Sequence, residues 1–201
     1  MEVMKIAFAG GSSSGKTTVM NGLKAREKVR EDCRVIFLPE VASQFFYKRP
    51  KTIECADFPF IRQHYIYNTQ LISERYAIEL AEKFGVRRVV LLSDRGVCDV
   101  NTYLDAAQAA ECLFERETQE ELRRHYDAVL YMEPGNEENF RGDTTYRIEQ
   151  SMDDISKNAD DAWKAWKDCP NLHRIRQFPT AAEKVEYVAG LLNELIGAEV
   201  F

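Results

Sequence analysis

Eight residues near the N-terminus, Gly10-Gly-Ser-Ser-Ser-Gly-Lys-Thr17, constrain this chain more than any other feature. They fit the pattern G-x-x-x-x-G-K-[ST]. They also stand where the pattern has physical meaning, after the apolar run Val3–Ala9 and before a helical stretch predicted over Lys16–Val29. Glycines permit backbone angles that a β-carbon forbids, so successive N–H groups can turn inward and form an anion cradle. The start of the helix adds positive potential. Gly10, Gly11, Ser12, Ser13, Ser14, Gly15, Lys16, Thr17 and Thr18 are therefore the candidate phosphate-binding residues. Lys16 supplies a mobile charge for the β- and γ-phosphates, and the Thr17 hydroxyl is placed to ligate Mg²⁺.

The rest of the chain alternates short β-rich runs with longer helical ones. Strands are predicted over Val3–Ala9, Arg34–Leu38, Val89–Leu92, Ala128–Met132 and Leu172–Phe178. Helices are predicted over Phe58–Phe84, in a region from Val97 to Arg124, and after the capping box Thr180-Ala-Ala-Glu183. In the first of these, Ile61, Tyr65, Ile72, Tyr76 and Leu80 form an apolar stripe that should face inward, widened by Leu71 and Ile78. Gly85 should stop that helix. In the last, Val185, Val188, Leu192 and Leu195 should face the core, with Gly197 past the end. Alternation of this kind predicts an α/β fold with a parallel sheet and helices on both faces. The 201 residues are read as a single domain, residues 1–201. A chain of that size buries about 70% of its unfolded surface and needs no staple.

In such a sheet, ligands bind beyond the carboxyl ends of the strands. The second strand delivers Glu40 there, the third Asp94 and Arg95, and the fourth a polar segment over 134–147 that suits a lid. Asp94 can hold Mg²⁺ beside Thr17. Arg95 can clamp a phosphate or the moving γ-phosphoryl oxygens. Glu40 can accept the proton of an attacking hydroxyl, although Glu40 and Asp94 could exchange roles. The lid segment carries Arg141, with Arg147 at its end, and a basic lid would exclude water from the transfer. The long helix should line the acceptor side with Arg62, Gln63, Gln70 and Arg75. Trp163 and Trp166 read as packing residues.

Several classes are disfavoured. No N-K-x-D guanine reader and no Leu-Ser-Gly-Gly signature occurs, which leans toward ATP and away from GTPases and transporter-type ATPases. The net charge of −6 argues against nucleic acid as a partner. No apolar run is long enough for a membrane span, and no signal peptide is expected. The five cysteines are irregularly spaced, which disfavours structural zinc and suggests a reducing, cytoplasmic setting. A small-molecule kinase is the leading reading, acting as a monomer or homodimer. An NTP-dependent switch serving a protein partner and a polynucleotide end kinase are the alternatives.

With these residues in hand, the chain resembles the small P-loop kinases of the nucleoside/nucleotide kinase superfamily. Within them it resembles the AAA_28-type ATPase/kinase group, which includes nicotinamide-riboside kinase domains. The loop GGSSSGKTT, the PEVAS run at Pro39–Ser43, SDRGVCDVNTYL at Ser93–Leu104, YDAVLYME at Tyr126–Glu133 and RIRQFPTAAEK at Arg174–Lys184 carry the likeness. The resemblance implies a P-loop NTPase fold, three-layer α/β/α, with five parallel strands in order 2-3-1-4-5 and a lid. It implies ATP with Mg²⁺ and phosphate transfer to a small molecule. It places Arg141 as the lid arginine, and Pro179 and Thr180 where adenine packs. The sequence departs from thymidylate kinases at Gly96, where those carry an aromatic residue or histidine after Asp-Arg.

Overall fold

Strand β1 (Glu2–Ala9) lies at the centre of a five-stranded parallel sheet of order β2-β3-β1-β4-β5. The other strands are β2 (Cys33–Leu38), β3 (Arg88–Asp94), β4 (Ala128–Met132) and β5 (Leu172–Ile175). The computed structural model describes residues 1–43, 58–113, 118–134 and 152–201. Most of the expected lid, with Arg141 and Arg147, lies outside the described residues, as does Cys55. Register aligns Phe8 with Asp94 and Ala7 with Val129, so the ends of β1, β3 and β4 reach one edge together. The order and the parallel sense agree with the sequence reading.

Side chains alternate along β1 between two cores, as strand geometry requires. Ile6 and Phe8 face helices α1 (Lys16–Lys24) and α7 (Ala181–Ile196), against Val19, Leu23, Val188 and Leu192. Ala7 and Ala9 face the other side, where Val97, Val100, Leu122 and Trp166 pack. Helix α2 (Phe58–Lys83) covers Val89 and Leu91 with Ala77 and Ala81. Thr180 and Glu183 close the predicted capping box, and Gly85 and Gly197 take the left-handed conformation at helix ends. Trp166 is fully buried, and the described cysteines are buried free thiols.

Three elements differ from expectation. Helix α1 stops at Lys24, because the Lys28 N–H pairs with the Val200 carbonyl and Val29 finds no core, being 81% exposed. β5 ends at Ile175 rather than Phe178. The region from Val97 breaks into a 3-10 turn (Val97–Asp99) and helices α3 (Val100–Tyr103), α4 (Ala106–Cys112) and α5 (Gln119–Arg123). Asp105 with Gln108, and Thr118 with Glu121, form capping boxes that start α4 and α5.

The largest correction concerns α2. Most of its apolar stripe faces solvent: Ile61, Ile72, Tyr76 and Leu80 are exposed and Tyr65 is half-buried, while Leu71 and Ile78 do pack against the core. The buried face instead carries Arg62, Gln63, Tyr67, Gln70 and Glu74 beside the small residues Ala77 and Ala81. Glu74 explains the inversion. It is 1% exposed and accepts hydrogen bonds from Gln70 Nε2 (2.9 Å) and the Tyr126 hydroxyl (2.9 Å), with His125 Nε2 at 2.7 Å and Lys5 Nζ at 3.1 Å. A satisfied polar cluster holds that face inward. α6 (Met152–Trp166) completes the fold and packs against α3.

Candidate active site

The phosphate loop is fixed by close backbone approach. A β-carbon on Gly10 (φ 128°) would fall 2.4 Å from the Met132 carbonyl oxygen, and one on Gly11 would fall 2.8 Å from Ala159 Cα. Gly15 (φ 87°) ends the loop as the N-cap of α1. The Lys16 ammonium is buried within the loop, donating to the Gly10 and Gly11 carbonyls (both 2.7 Å) and to Ser14 Oγ (3.1 Å). Burial, and then the Arg95 cation, pull its pKa down to about 7. Thr17 and Thr18 are exposed at the mouth of the loop.

Asp94 ends β3 and is 6% exposed. Its Oδ2 accepts the Thr17 hydroxyl at 2.9 Å, while its buried Oδ1 has no hydrogen-bond partner. Burial raises its pKa against the opposing pull of Lys16. An orphaned carboxylate oxygen beside a threonine hydroxyl fits Mg²⁺, which takes one or two protein oxygens and completes its shell with water and phosphate. Among the described residues no larger group of acidic, histidine or cysteine ligands offers an alternative metal centre.

Arg95 follows at φ 73°, a left-handed angle unusual for a residue with a β-carbon. Its N–H bonds to the Phe8 carbonyl, tying the turn to β1. Its guanidinium pairs with Glu40 Oε1 and meets Asp99 Oδ2 at 3.2 Å and the Tyr103 hydroxyl at 3.4 Å. Burial opposes its charge, but Tyr103, Glu40 and Asp99 outweigh burial and keep it cationic. Glu40 also accepts from the Ser43 hydroxyl at 2.6 Å. Burial pushes Glu40 up, yet Arg95 and Ser43 prevail and hold it at about 2.

Beside Arg95 lies a small recess of about 10 Å³, walled by Val41, Gln63, Tyr67, Gln70 and Asp99. Of the expected acceptor residues, Gln63 and Gln70 reach this recess, while Arg62 is buried with its guanidinium 5.2 Å above the Tyr103 ring. Arg75 does not belong to the site: it is exposed on the opposite face of α2 and pairs with Glu79 at 3.4 Å. Pro179 is exposed at the foot of α7.

Four contributing residues escaped the sequence reading. Asp99 holds Arg95 and accepts from Trp166 Nε1 at 2.7 Å; its four-residue spacing from Arg95 was a readable signal. Tyr103 joins Arg95 to Asn158 Nδ2 (3.3 Å). Asn158 accepts the Ser12 N–H at 3.0 Å, and Lys184 donates to the Ser14 carbonyl at 2.9 Å. Lys184 closes the RIRQFPTAAEK run and Asn158 lies in no motif, and neither contact was readable because each spans more than a hundred residues of sequence.

Comparison with known proteins agrees with this geometry. A thymidylate kinase from Ehrlichia chaffeensis superposes with a TM-score of 0.58 at 12% identity, covering 98% of this chain and 100% of its own, which establishes the likeness of fold. No curated protein matches the sequence. The family model described as AAA domain, AAA_28, matches residues 5–177. With its phosphate loop, strand order and that match across most of its length, the chain belongs to the AAA_28 family of AAA domains and has the fold of a small P-loop nucleotide kinase.

Proposed function

We propose that this chain is a phosphotransferase that moves the γ-phosphoryl group of Mg·ATP to a hydroxyl or phosphate on a small nucleoside- or nucleotide-type acceptor. The observation that carries this reading is the Glu40–Arg95 pair, set between the phosphate loop and the recess walled by Gln63 and Gln70. A bare NTP switch has no need of an ionised carboxylate at that point.

The loop N–H groups and Lys16 bind the triphosphate, whose negative charge raises the lysine's pKa from about 7 and holds it as an ammonium. Thr17 and Asp94 would hold Mg²⁺, which neutralises charge on the β- and γ-oxygens when bound. Arg95 is committed to Glu40 while no phosphate is present. An incoming phosphoryl group competes for the guanidinium. Release of Glu40 from Arg95 raises its pKa from about 2, so the carboxylate becomes a better base only when phosphate is in place. The missing guanine reader supports ATP as donor. The nucleotide named for the thymidylate kinase neighbour supports the acceptor class. Its particular base is disfavoured at Gly96, where Tyr126 occupies the space an aromatic side chain would need. Arg141, the proposed lid arginine, lies outside the described residues.

The roles are tested by comparing Glu40→Gln and Asp94→Asn in single-turnover transfer and in Mg²⁺ titration. Glu40→Gln is expected to slow transfer ~10²-fold with the Mg²⁺ dependence unchanged, and Asp94→Asn to shift the Mg²⁺ requirement upward. Full activity in Glu40→Gln would remove Glu40 from the chemistry.

A further inference from the structure

We propose that Asn158 and Lys184 are positioning residues for the phosphate loop, each fixing one of its peptide planes from outside, so that the loop meets a triphosphate already shaped. The inference rests on reading the loop as a triphosphate cradle and adds the residues that hold it.

A trans peptide is planar, so its C=O and N–H point in opposite directions, and anchoring one aims the other. In the Gly11–Ser12 peptide, the N–H donates to Asn158 Oδ1 at 3.0 Å, and the carbonyl accepts from Lys16 Nζ at 2.7 Å. That plane is stretched between a side chain of α6 and the loop's own lysine. In the Ser14–Gly15 peptide, the carbonyl accepts from Lys184 Nζ at 2.9 Å. The Gly15 N–H is thereby turned away from Lys184, at the point where α1 opens with its unpaired N–H groups.

Both clamps are built in. Asn158 is 8% exposed and Lys184 5%. Asn158 reaches the loop because Gly11 lets the α6 backbone at Ala159 approach within van der Waals contact. Its amide orientation is fixed chemically: the Ser12 N–H requires an oxygen, and the remaining NH₂ faces the Tyr103 hydroxyl at 3.3 Å. Tyr103 in turn meets Arg95, so the same amide joins the phosphate loop to the Glu40–Arg95 pair. Lys184 stands on the first turn of α7, held by the Thr180–Glu183 capping box. Neither residue needs to touch the reacting atoms.

Two measurements on the full chain test this. In the ligand-free wild type, amide hydrogen exchange followed by NMR should show Ser12 protected by its buried bond, while Thr17 and Thr18 exchange freely at the exposed helix start. Ser12 exchange as fast as theirs would overturn the Asn158 clamp, whether or not the protein binds ATP. Titration with Mg·ATP and with Mg·tripolyphosphate should then show Asn158→Leu and Lys184→Met each weakening both ligands about tenfold, with Lys184→Arg recovering most of the loss. Equal weakening of the two ligands places the defect at the phosphates. Wild-type affinity in both variants would contradict the proposal, whereas absence of ATP binding in the wild type would contradict the functional reading instead.

Discussion

Gly96 shows how a missing β-carbon fixes the position of Arg95. Its φ of −166° is ordinary extended backbone, so conformational freedom is not the reason for glycine. Space is the reason: a β-carbon there would lie 2.5 Å from the Tyr126 hydroxyl oxygen. That hydroxyl accepts the Val97 N–H at 3.1 Å and donates to Glu74, so it cannot withdraw cheaply. Gly96→Ala is therefore expected to lower stability by about 1–3 kcal/mol in chemical denaturation and to disturb the Arg95 turn. An unchanged denaturation midpoint would show that Tyr126 yields. At this scale the sequence was most informative where chemistry is local. The phosphate loop, Glu40, Asp94 and Arg95 were legible because each sits at a strand end, where fold topology and residue type agree. Asn158 and Lys184 were not, because their partners are backbone groups whose proximity only the folded chain creates.

Helix α2 marks where pattern reading fails, and the cause is physical. Apolar spacing reports which face could be buried, but a satisfied polar cluster can claim burial instead. Glu74 is that claim, and Ile72 lies on the opposite face, 61% exposed. Ile72→Glu should change folding stability by no more than about 0.5 kcal/mol. Glu74→Ala should cost about 3–5 kcal/mol, because Lys5 would lose its counter-charge and Gln70 and the Tyr126 hydroxyl their buried acceptor. The reverse ranking in a pair of urea titrations would restore the inward stripe. The same cluster predicts an acid response. Burial pushes Glu74 up, but His125, Gln70 and Lys5 hold it at about 2, below its ordinary 4.5. A carboxyl lowered on folding contributes stability that is complete above 4.5 and lost as pH falls through 4.5 toward 2. That contribution is about 3 kcal/mol, and Glu74→Gln should flatten the stability profile across this window.

Across the whole molecule, the parallel sheet does the assembling. Strand order β2-β3-β1-β4-β5 brings Glu40, Asp94, Arg95 and the phosphate loop to one edge from separate parts of the chain. Two helices from the C-terminal half, α6 and α7, then touch the loop from outside through Asn158 and Lys184. The strand order was legible through family resemblance, and the parallel sense through alternation alone. The packing of α6 against Gly11 was not, because a stretch of mixed polarity after the fourth strand gives no sign of which surface it will meet. Among the described residues no helix is long and apolar enough to cross a membrane.

The central claim is that phosphate transfer here depends on an acceptor. The direct measurement is ADP release from Mg·ATP with and without nucleosides, deoxynucleosides, their monophosphates, nicotinamide riboside and short oligonucleotides, with Lys16→Ala as the inactive control. The account predicts that one nucleoside or nucleotide class raises release at least ~10-fold and leaves as its phosphorylated product. Slow release, the same with every acceptor, would contradict it and identify an ATPase whose site serves something other than transfer.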